Sequence, residues 1–221
     1  MPDGELEQAL VRNGIAADHT IVLYSRTPFA AARAGLILLY AGVADVRLLD
    51  GGIAAWIAAG YDLETSPRTP KLMEDIGVTI PAHPEYILDM EQVTALLKNE
   101  DIFLACVRSW DEYVGKASGY SYVRPKGRIA GSVWAGEAGS ALFLNPDRTL
   151  RSAAQISAFW AQRGIASEKK IVFYCGTGWR ASEAFFYAYQ LGWQHIAVYD
   201  GGWLEWSAWL DKPVETGIPD I

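Results

Sequence analysis

The stretch "YCGTGWRASEAF", residues 174–185, holds Cys175, one of only two cysteines in the chain. An apolar run, "KIVFY", leads into it and a helical pattern, "ASEAFFYAYQLG", leaves it, with Ala181 as the expected first helical residue. A thiol at that junction sits beside the positive end of the helix dipole. The backbone N–H groups of Gly176, Thr177, Gly178, Trp179 and Arg180 have no helical acceptor and can turn inward as an anion-binding nest. Gly176 and Gly178 are expected at positive φ, as so tight a loop requires. Arg180 adds a fixed positive charge. Together these features favour an anionic sulfur and mark Cys175 as a nucleophile that forms a covalent intermediate. The competing reading is a buried cysteine with no role beyond packing. Glycines on both sides and Arg180 behind favour the nucleophile.

Other residue types could join that site. "CVRSWDEY" brings Cys106 and Arg108 to the end of an apolar run, "IFLA". Arg108 either lines the pocket or pairs with Glu112 four residues on. Cys106 reads as core, with a place in the pocket wall, or a role as a resolving thiol, left open. Trp179 and Trp134 are candidate pocket walls or plain surface aromatics. The segment Tyr120-Ser121-Tyr122 lies in a long loop that sequence alone does not place. The three histidines, His19, His83 and His195, are scattered without metal spacing, and two cysteines are too few for a thiolate zinc site, so no metal is expected.

The elements that must position the loop occur twice. "GIAADHTIVLYS" (14–25) matches "GIASEKKIVFYC" (164–175) without a gap, an offset of 150. The offset persists through Gly42 and Gly192, the two Asp-Gly-Gly runs at 50–52 and 200–202, and Trp56 and Trp206. Each copy reads as a helix ended by glycine, a short buried strand, a loop, a helix, a second strand, and a last helix carrying Trp. Short apolar strands alternating with helices imply an α/β fold with a mainly parallel sheet covered on both faces. The second copy is preceded by "YILDMEQVTALLKN", a short strand and then a helix with Asp89 as N-cap, by the strand "IFLACVRS", and by "GRIAGSVW". The first copy has no equivalent of these. Residues 1–65 therefore read as the C-terminal half of a unit, 66–83 as a surface linker, and 84–221 as a complete domain. In the first copy Ser25 stands where Cys175 stands, and Arg26 and Pro28 replace the glycines, which makes that loop catalytically silent. Trp56, Trp203 and Trp206 are expected in cores.

Composition narrows the function. Hydrophobic residues are 51% and charged residues 20%, with a net charge of −7, which argues against a nucleic-acid binder. No apolar run reaches the roughly 18 residues of a membrane span. The acidic start "MPDGELEQAL" is not a secretory signal.

"YCGTGWRAS" followed by "VYDGGWLEW", with "CVRSWDEY" and "GRIAGSVW" before them, resembles the rhodanese family of sulfurtransferases. "CGTGWRASE", "SGYSY" and "PKG" are similar to the bacterial multidomain thiosulfate sulfurtransferases built from three rhodanese units, of which this chain would be the C-terminal one and a half. The resemblance implies a rhodanese-like α/β fold and a persulfide on Cys175. Gly176, Thr177, Gly178, Trp179, Arg180 and Arg108 are the implied substrate-binding residues, with Cys106 and Trp134 as pocket walls. It implies small sulfur donors and acceptors (thiosulfate, cyanide or thiols), a sulfur-accepting protein as a further partner, and no cofactor. For a longer parent protein it implies the periplasm, with the cytoplasm as the alternative. The chain departs from the family pattern at Cys106, Arg128 and Ala130. It also has Glu112 where related enzymes carry a second substrate-binding arginine, which weakens the alternative of a 3-mercaptopyruvate sulfurtransferase. A non-catalytic binding or sensing module is a second alternative. A cysteine phosphatase is the third, disfavoured because only four residues separate Cys175 from Arg180, a cradle better sized for one sulfur than for phosphate.

Overall fold

The computed structural model describes residues 2–97 and 101–219, which divide into two compact units. Of the described residues, the first comprises 2–86 with 147–149, and the second 87–97, 101–146 and 150–219.

The first unit contains helix α1 (Asp3–Arg12), strand β1 (Thr20–Leu23), helix α2 (Pro28–Ala41), strand β2 (Asp45–Leu48) and helix α3 (Gly52–Ala58), with a 3-10 turn at Pro84–Tyr86. Strands β1 and β2 pair in parallel. Helix α2 supplies much of the buried side, with Ala32, Leu36, Leu38, Leu39 and Ala41. It stops where Gly42 adopts the left-handed conformation at φ 105°. The segment expected as a linker has no helix or strand before Pro84, yet it is tied to this unit. Ala17 N–H donates to Ile76 O at 2.8 Å, and Ile76 is fully buried. An apolar side chain inside an otherwise polar, proline-rich run is enough to anchor it. Trp56, expected in the core, is instead 38% exposed and rests on Tyr61 at 4.6 Å between ring centroids. The reason is that α3 buries none of its residues.

The second unit contains strand β3 (Ile87–Leu88), helix α4 (Met90–Leu96), strand β4 (Ile102–Cys106), helix α5 (Trp110–Tyr113), strands β5 (Arg128–Ile129) and β6 (Val133–Trp134), and helix α6 (Ala153–Ala161). Strand β7 (Lys170–Tyr174), helix α7 (Trp179–Gln190), strand β8 (Ile196–Tyr199), helix α8 (Gly202–Trp206) and strand β9 (Val214–Glu215) complete it. The elements that follow residue 14 thus recur in the same order after residue 164. Asp89 caps α4 as expected, accepting from Gln92 N–H at 2.8 Å while Gln92 returns the bond at 2.9 Å. The end of the helix expected there, at Lys98 and Asn99, lies outside the described residues.

Five strands form one parallel sheet in the order β3-β8-β7-β4-β6, and β5 pairs with β9 antiparallel. The register Cys106↔Tyr174 joins β4 to β7. All five parallel strands deliver their C-terminal ends to one edge, the place where α/β sheets hold ligands. Alternation along β7 divides the core. Val172 and Tyr174 face a cluster with Leu104, Cys106, Tyr199, Trp203 and Trp206. Phe173 turns the other way onto Trp160, with ring centroids at 5.5 Å. Trp160 is wholly buried, and its indole N–H donates to Ala135 O at 3.0 Å. Trp160→Ala is expected to cost about 3–5 kcal/mol, from the cavity and the orphaned carbonyl together. Urea denaturation of both proteins measures it.

Candidate functional site

Cys175 follows the last residue of β7 and is fully buried. Its backbone is fixed by α8. Trp203 N–H donates to Cys175 O at 2.8 Å and Leu204 N–H to Gly176 O at 3.0 Å, which satisfies two of the helix's free donors. In a trans peptide the N–H points opposite to the C=O. Aiming both carbonyls at α8 therefore turns the N–H groups of Gly176 and Thr177 to the opposite side, toward the interior of the loop. None of the N–H groups from Gly176 to Arg180 donates to a described residue. The loop after Cys175 is thus a run of five unengaged donors, the makings of an anion-binding nest.

Helix α7 starts at Trp179, two residues before the expected Ala181, because Gly178 takes φ 80° and serves as the N-cap. Arg180 thus belongs to the first turn. Of the two loop glycines only Gly178 has positive φ. Gly176 is needed for a different reason: a Cβ there would lie 2.1 Å from Tyr120 Cε2. The Tyr120 ring lies directly on the loop. Gly202 has φ 56°, and its absent Cβ would meet Cys175 O at 2.7 Å and Gly176 O at 2.8 Å. The Asp-Gly-Gly turn is therefore also the surface on which the loop rests.

Arg180 does not face open solvent. Its Nη1 donates to Glu112 Oε2 and its Nη2 to Glu112 Oε1, both at 2.8 Å, and Nη2 also reaches Tyr120 Oη at 3.2 Å. Both partners of the ion pair are nearly buried. Glu112 is held in turn by a capping box on α5, accepting from Ser109 N–H at 3.0 Å while its own N–H donates to Ser109 Oγ at 3.2 Å. Burial disfavours the Glu112 carboxylate, but the Arg180 hydrogen bonds and charge, with the Ser109 N–H and the Arg108 charge, outweigh it and hold the carboxyl below its ordinary range. Burial likewise opposes the Arg180 charge and is overridden by Glu112 and the Cys175 sulfur, so the guanidinium stays protonated. Tyr120 is pushed up, first by burial; the Arg180 charge opposes that rise and the Cys175 charge adds to it.

The expected pair between Arg108 and Glu112 is not formed. Arg108 is fully buried, with Nη2 on Gly127 O at 2.7 Å and Nε on Cys106 Sγ at 3.4 Å. Its guanidinium lies 4.9 Å from the Trp203 ring centre. The side chain continues into the core on the Cys106 face while Glu112 turns back to cap α5, which leaves the carboxylate to Arg180. Cys106 and Cys175 are both unlinked thiols. Cys106 shares the face of Tyr174, its register partner, and strand alternation turns the next residue, Cys175, away from it. Trp134 packs against Trp110 at 5.1 Å and Phe159 at 6.2 Å, and its indole donates to Arg108 O at 2.9 Å. Trp179 is 49% exposed. Thus Cys175 through Arg180 are joined as one site, Glu112 and Tyr120 are added to it, and Cys106, Arg108 and Trp134 pack behind. In the first unit the Ser25 hydroxyl turns onto Thr27 O. Among the described residues no three His, Cys, Asp or Glu side chains cluster as metal ligands, and no helix is long and apolar enough to cross a membrane.

The family model for the rhodanese-like domain matches residues 1–59 and 89–208. The chain belongs to the rhodanese-like family. It is 51% identical over 221 residues to thiosulfate sulfurtransferase YnjE of Escherichia coli K12, covering 97% of this chain and 51% of that protein. The crystal structure of YnjE superposes with a TM-score of 0.95 at 50% identity, covering 99% of this chain and 54% of the other. The sulfur carrier protein TtuD of Thermus thermophilus is 32% identical, with 96% and 76% covered. A structure of EanB bearing a cysteine persulfide, in a tetrahedral intermediate state with ergothioneine, gives a TM-score of 0.94 at 39% identity, with 99% and 56% covered. This rhodanese-like chain spans about half the length of YnjE and EanB.

Two outcomes follow from the site of this rhodanese-like domain. Gly202→Ala meets both backbone strain and the loop carbonyls, whereas Gly131→Ala, at φ 74° with nothing within 4 Å, meets strain alone. Urea denaturation is expected to find Gly131→Ala costing about 1 kcal/mol and Gly202→Ala about 2–4 kcal/mol. The second concerns pH. Because the folded Glu112 carboxyl lies below its unfolded value of about 4.3, its contribution is fully present above that value and is lost as pH falls through the folded one. Wild type and Glu112→Gln, compared by urea denaturation, are expected to differ by a constant amount from about pH 7 to 5 and to converge below about pH 4.

Proposed function

We propose that this chain is a sulfurtransferase that carries sulfane sulfur on Cys175. The observation that carries the reading is the loop itself: a buried thiol at the end of β7, followed by unengaged N–H groups from Gly176 to Arg180, with Arg180 in the first turn of the helix that comes next. The Cys175 thiolate attacks the outer sulfur of thiosulfate or a similar donor. The donor's S–S bond breaks, its electron pair leaves with sulfite, and Cys175 holds a persulfide whose outer sulfur is again anionic. A nucleophilic acceptor, cyanide or a thiol, then attacks that sulfur and restores the thiolate. Every electron pair is accounted for by donor, cysteine and acceptor. The name of YnjE supports thiosulfate as the donor, and that of TtuD supports a protein among the acceptors. The persulfide in EanB supports the intermediate. The first unit, with Ser25 at the corresponding place, takes no part in sulfur chemistry.

The test is intact-mass analysis after incubation with thiosulfate. The wild type is expected to gain one sulfur atom, released by cyanide with formation of thiocyanate, and Cys175→Ser is expected to gain none. A wild-type protein that never acquires the sulfur would refute the proposal and return the chain to a binding module.

A further inference from the structure

We infer that the loop 115–127 is a docking surface for a protein that takes sulfur from Cys175, and that this partner presents its thiol on an extended segment rich in acidic residues. The inference rests on the sulfurtransferase reading above and names the partner class of that site. The chain is acidic as a whole, with a net charge of −7, but the charge is unevenly spread. No acidic residue lies between Glu112 and Glu137, whereas Lys116, Arg124, Lys126 and Arg128 all fall there. Arg128 is buried and bound to Glu215 and to Gly217 O. The other three are exposed. Lys116 meets Asp111 at 3.6 Å, with both side chains largely in solvent, and the Lys126 ammonium rests on Lys116 O at 3.1 Å. A surface ion pair of that kind leaves most of the positive field in place.

The loop holds these charges in a fixed place beside the cysteine. Its ends meet, since a Cβ on Gly115 would lie 3.3 Å from Gly127 N, and the two glycines take φ 82° and 116°. Such a closed segment is an Ω-loop, packed by its own side chains. Val123 is buried, Pro125 O accepts from the Trp203 indole at 3.1 Å, and Gly127 O accepts from Arg108 at 2.7 Å. Near the tip Tyr120 meets Arg180 Nη2 at 3.2 Å and leans on Gly176. Charges on an anchored loop offer a fixed pattern that a partner of opposite sign can match.

Apolar side chains border the same place. Tyr122 is 63% exposed, with its ring 5.3 Å from that of Tyr120. Trp179, half exposed, precedes Arg180 in the loop, and Leu204, whose N–H bonds Gly176 O, is 39% exposed. Aromatic anchors beside a charged rim are the anatomy of a protein interface. A small donor such as thiosulfate has no apolar surface to lay on them. Cys175 itself is fully buried, so a folded face does not reach its sulfur and an extended segment is required.

In the transfer step the partner's thiolate attacks the outer sulfur of the Cys175 persulfide. A new S–S bond forms, the bond to Cys175 Sγ breaks, and its electron pair returns to Sγ. The partner leaves as a persulfide and Cys175 as a thiolate, with no external oxidant or reductant.

The experiment loads wild type with thiosulfate, removes the excess and verifies the persulfide by intact mass. It then follows discharge by synthetic peptides of one length that carry a single cysteine among glutamates, glutamines or lysines. Each rate is divided by that of the same peptide on free cysteine persulfide, which removes differences in thiol reactivity. At low salt the glutamate peptide is expected to outpace the glutamine peptide by at least about tenfold, with the lysine peptide slowest. The advantage is expected to shrink to about twofold at 1 M salt, where charges are screened beyond about 3 Å. In the variant Lys116→Ser, Arg124→Ser, Lys126→Ser the low-salt ratio is expected to fall to within about threefold, while discharge by free cysteine stays within about twofold of wild type. Tyr122→Ser is expected to slow the glutamate and glutamine peptides alike by about threefold or more. A wild-type ratio near one, a faster lysine peptide, or a ratio unchanged in the triple variant overturns the inference while leaving sulfur transfer intact. If the triple variant does not fold, Arg124→Ser alone, expected to lower the ratio by about twofold or more, takes its place. Failure of the wild type to load sulfur at all refutes the sulfurtransferase reading, and this inference with it.

Discussion

Two carbonyl groups, those of Cys175 and Gly176, accept the first free N–H groups of helix α8, and the chemistry of the loop depends on that contact. Were those carbonyls to turn inward, the cradle would present oxygen to an anion and repel it. The fold secures the contact from both sides. Strands β7 and β8 are neighbours in the sheet, so the loop after one and the helix after the other meet at the same edge. Helix α8 is itself pinned by two buried indoles, Trp203 donating to Pro125 O and Trp206 to Pro213 O, each at 3.1 Å. Gly202 lets the two backbones approach closely enough for the bonds to form.

A second constraint acts through charge. A cysteine enclosed this fully needs a permanent countercharge if its sulfur is to be anionic, because burial penalises an isolated ion. Arg180 supplies it from the first turn of α7, where the helix dipole adds to the same effect. A guanidinium so placed is itself poorly solvated, and Glu112 holds it in a bidentate pair. The same carboxylate caps α5, so the position of the arginine is tied to the strand end at Cys106 through a four-residue helix. Tyr120 covers the assembly, in contact with Arg180 and resting on Gly176. Site and core are thus one hydrogen-bonded body rather than a loop laid on a scaffold.

Much of this was legible in the sequence. The strand ahead of Cys175, the helix behind it, the Asp89 cap and the α/β class all follow from short-range rules of period, capping and turn residues. So does the contrast with Ser25, where the strand and the helix persist without the thiol. What was misread involves distance along the chain. Gly176 was assigned a backbone angle when its role is contact with a ring 56 positions earlier in the sequence. A pair of Arg108 with Glu112, one of the two readings of that arginine, rests on four residues apart being a natural pairing on a helix. In the structure α5 is only four residues long, and its capping geometry turns Glu112 elsewhere.

The sequence by itself determined the local shape of the loop: a cysteine at a strand end, a glycine-bearing turn and an arginine on a helix start. Those features are set by neighbours within a few positions, where steric and dipolar rules act without reference to the rest of the chain. Only the tertiary structure decided the charge of the site. Glu112 and Arg180 are 68 residues apart and meet because β4 and β7 pair in parallel and deliver their following helices to one edge. Which carboxylate meets which guanidinium depends on strand order and on the direction a side chain takes at a helix cap. Neither is written in the spacing of the residues concerned.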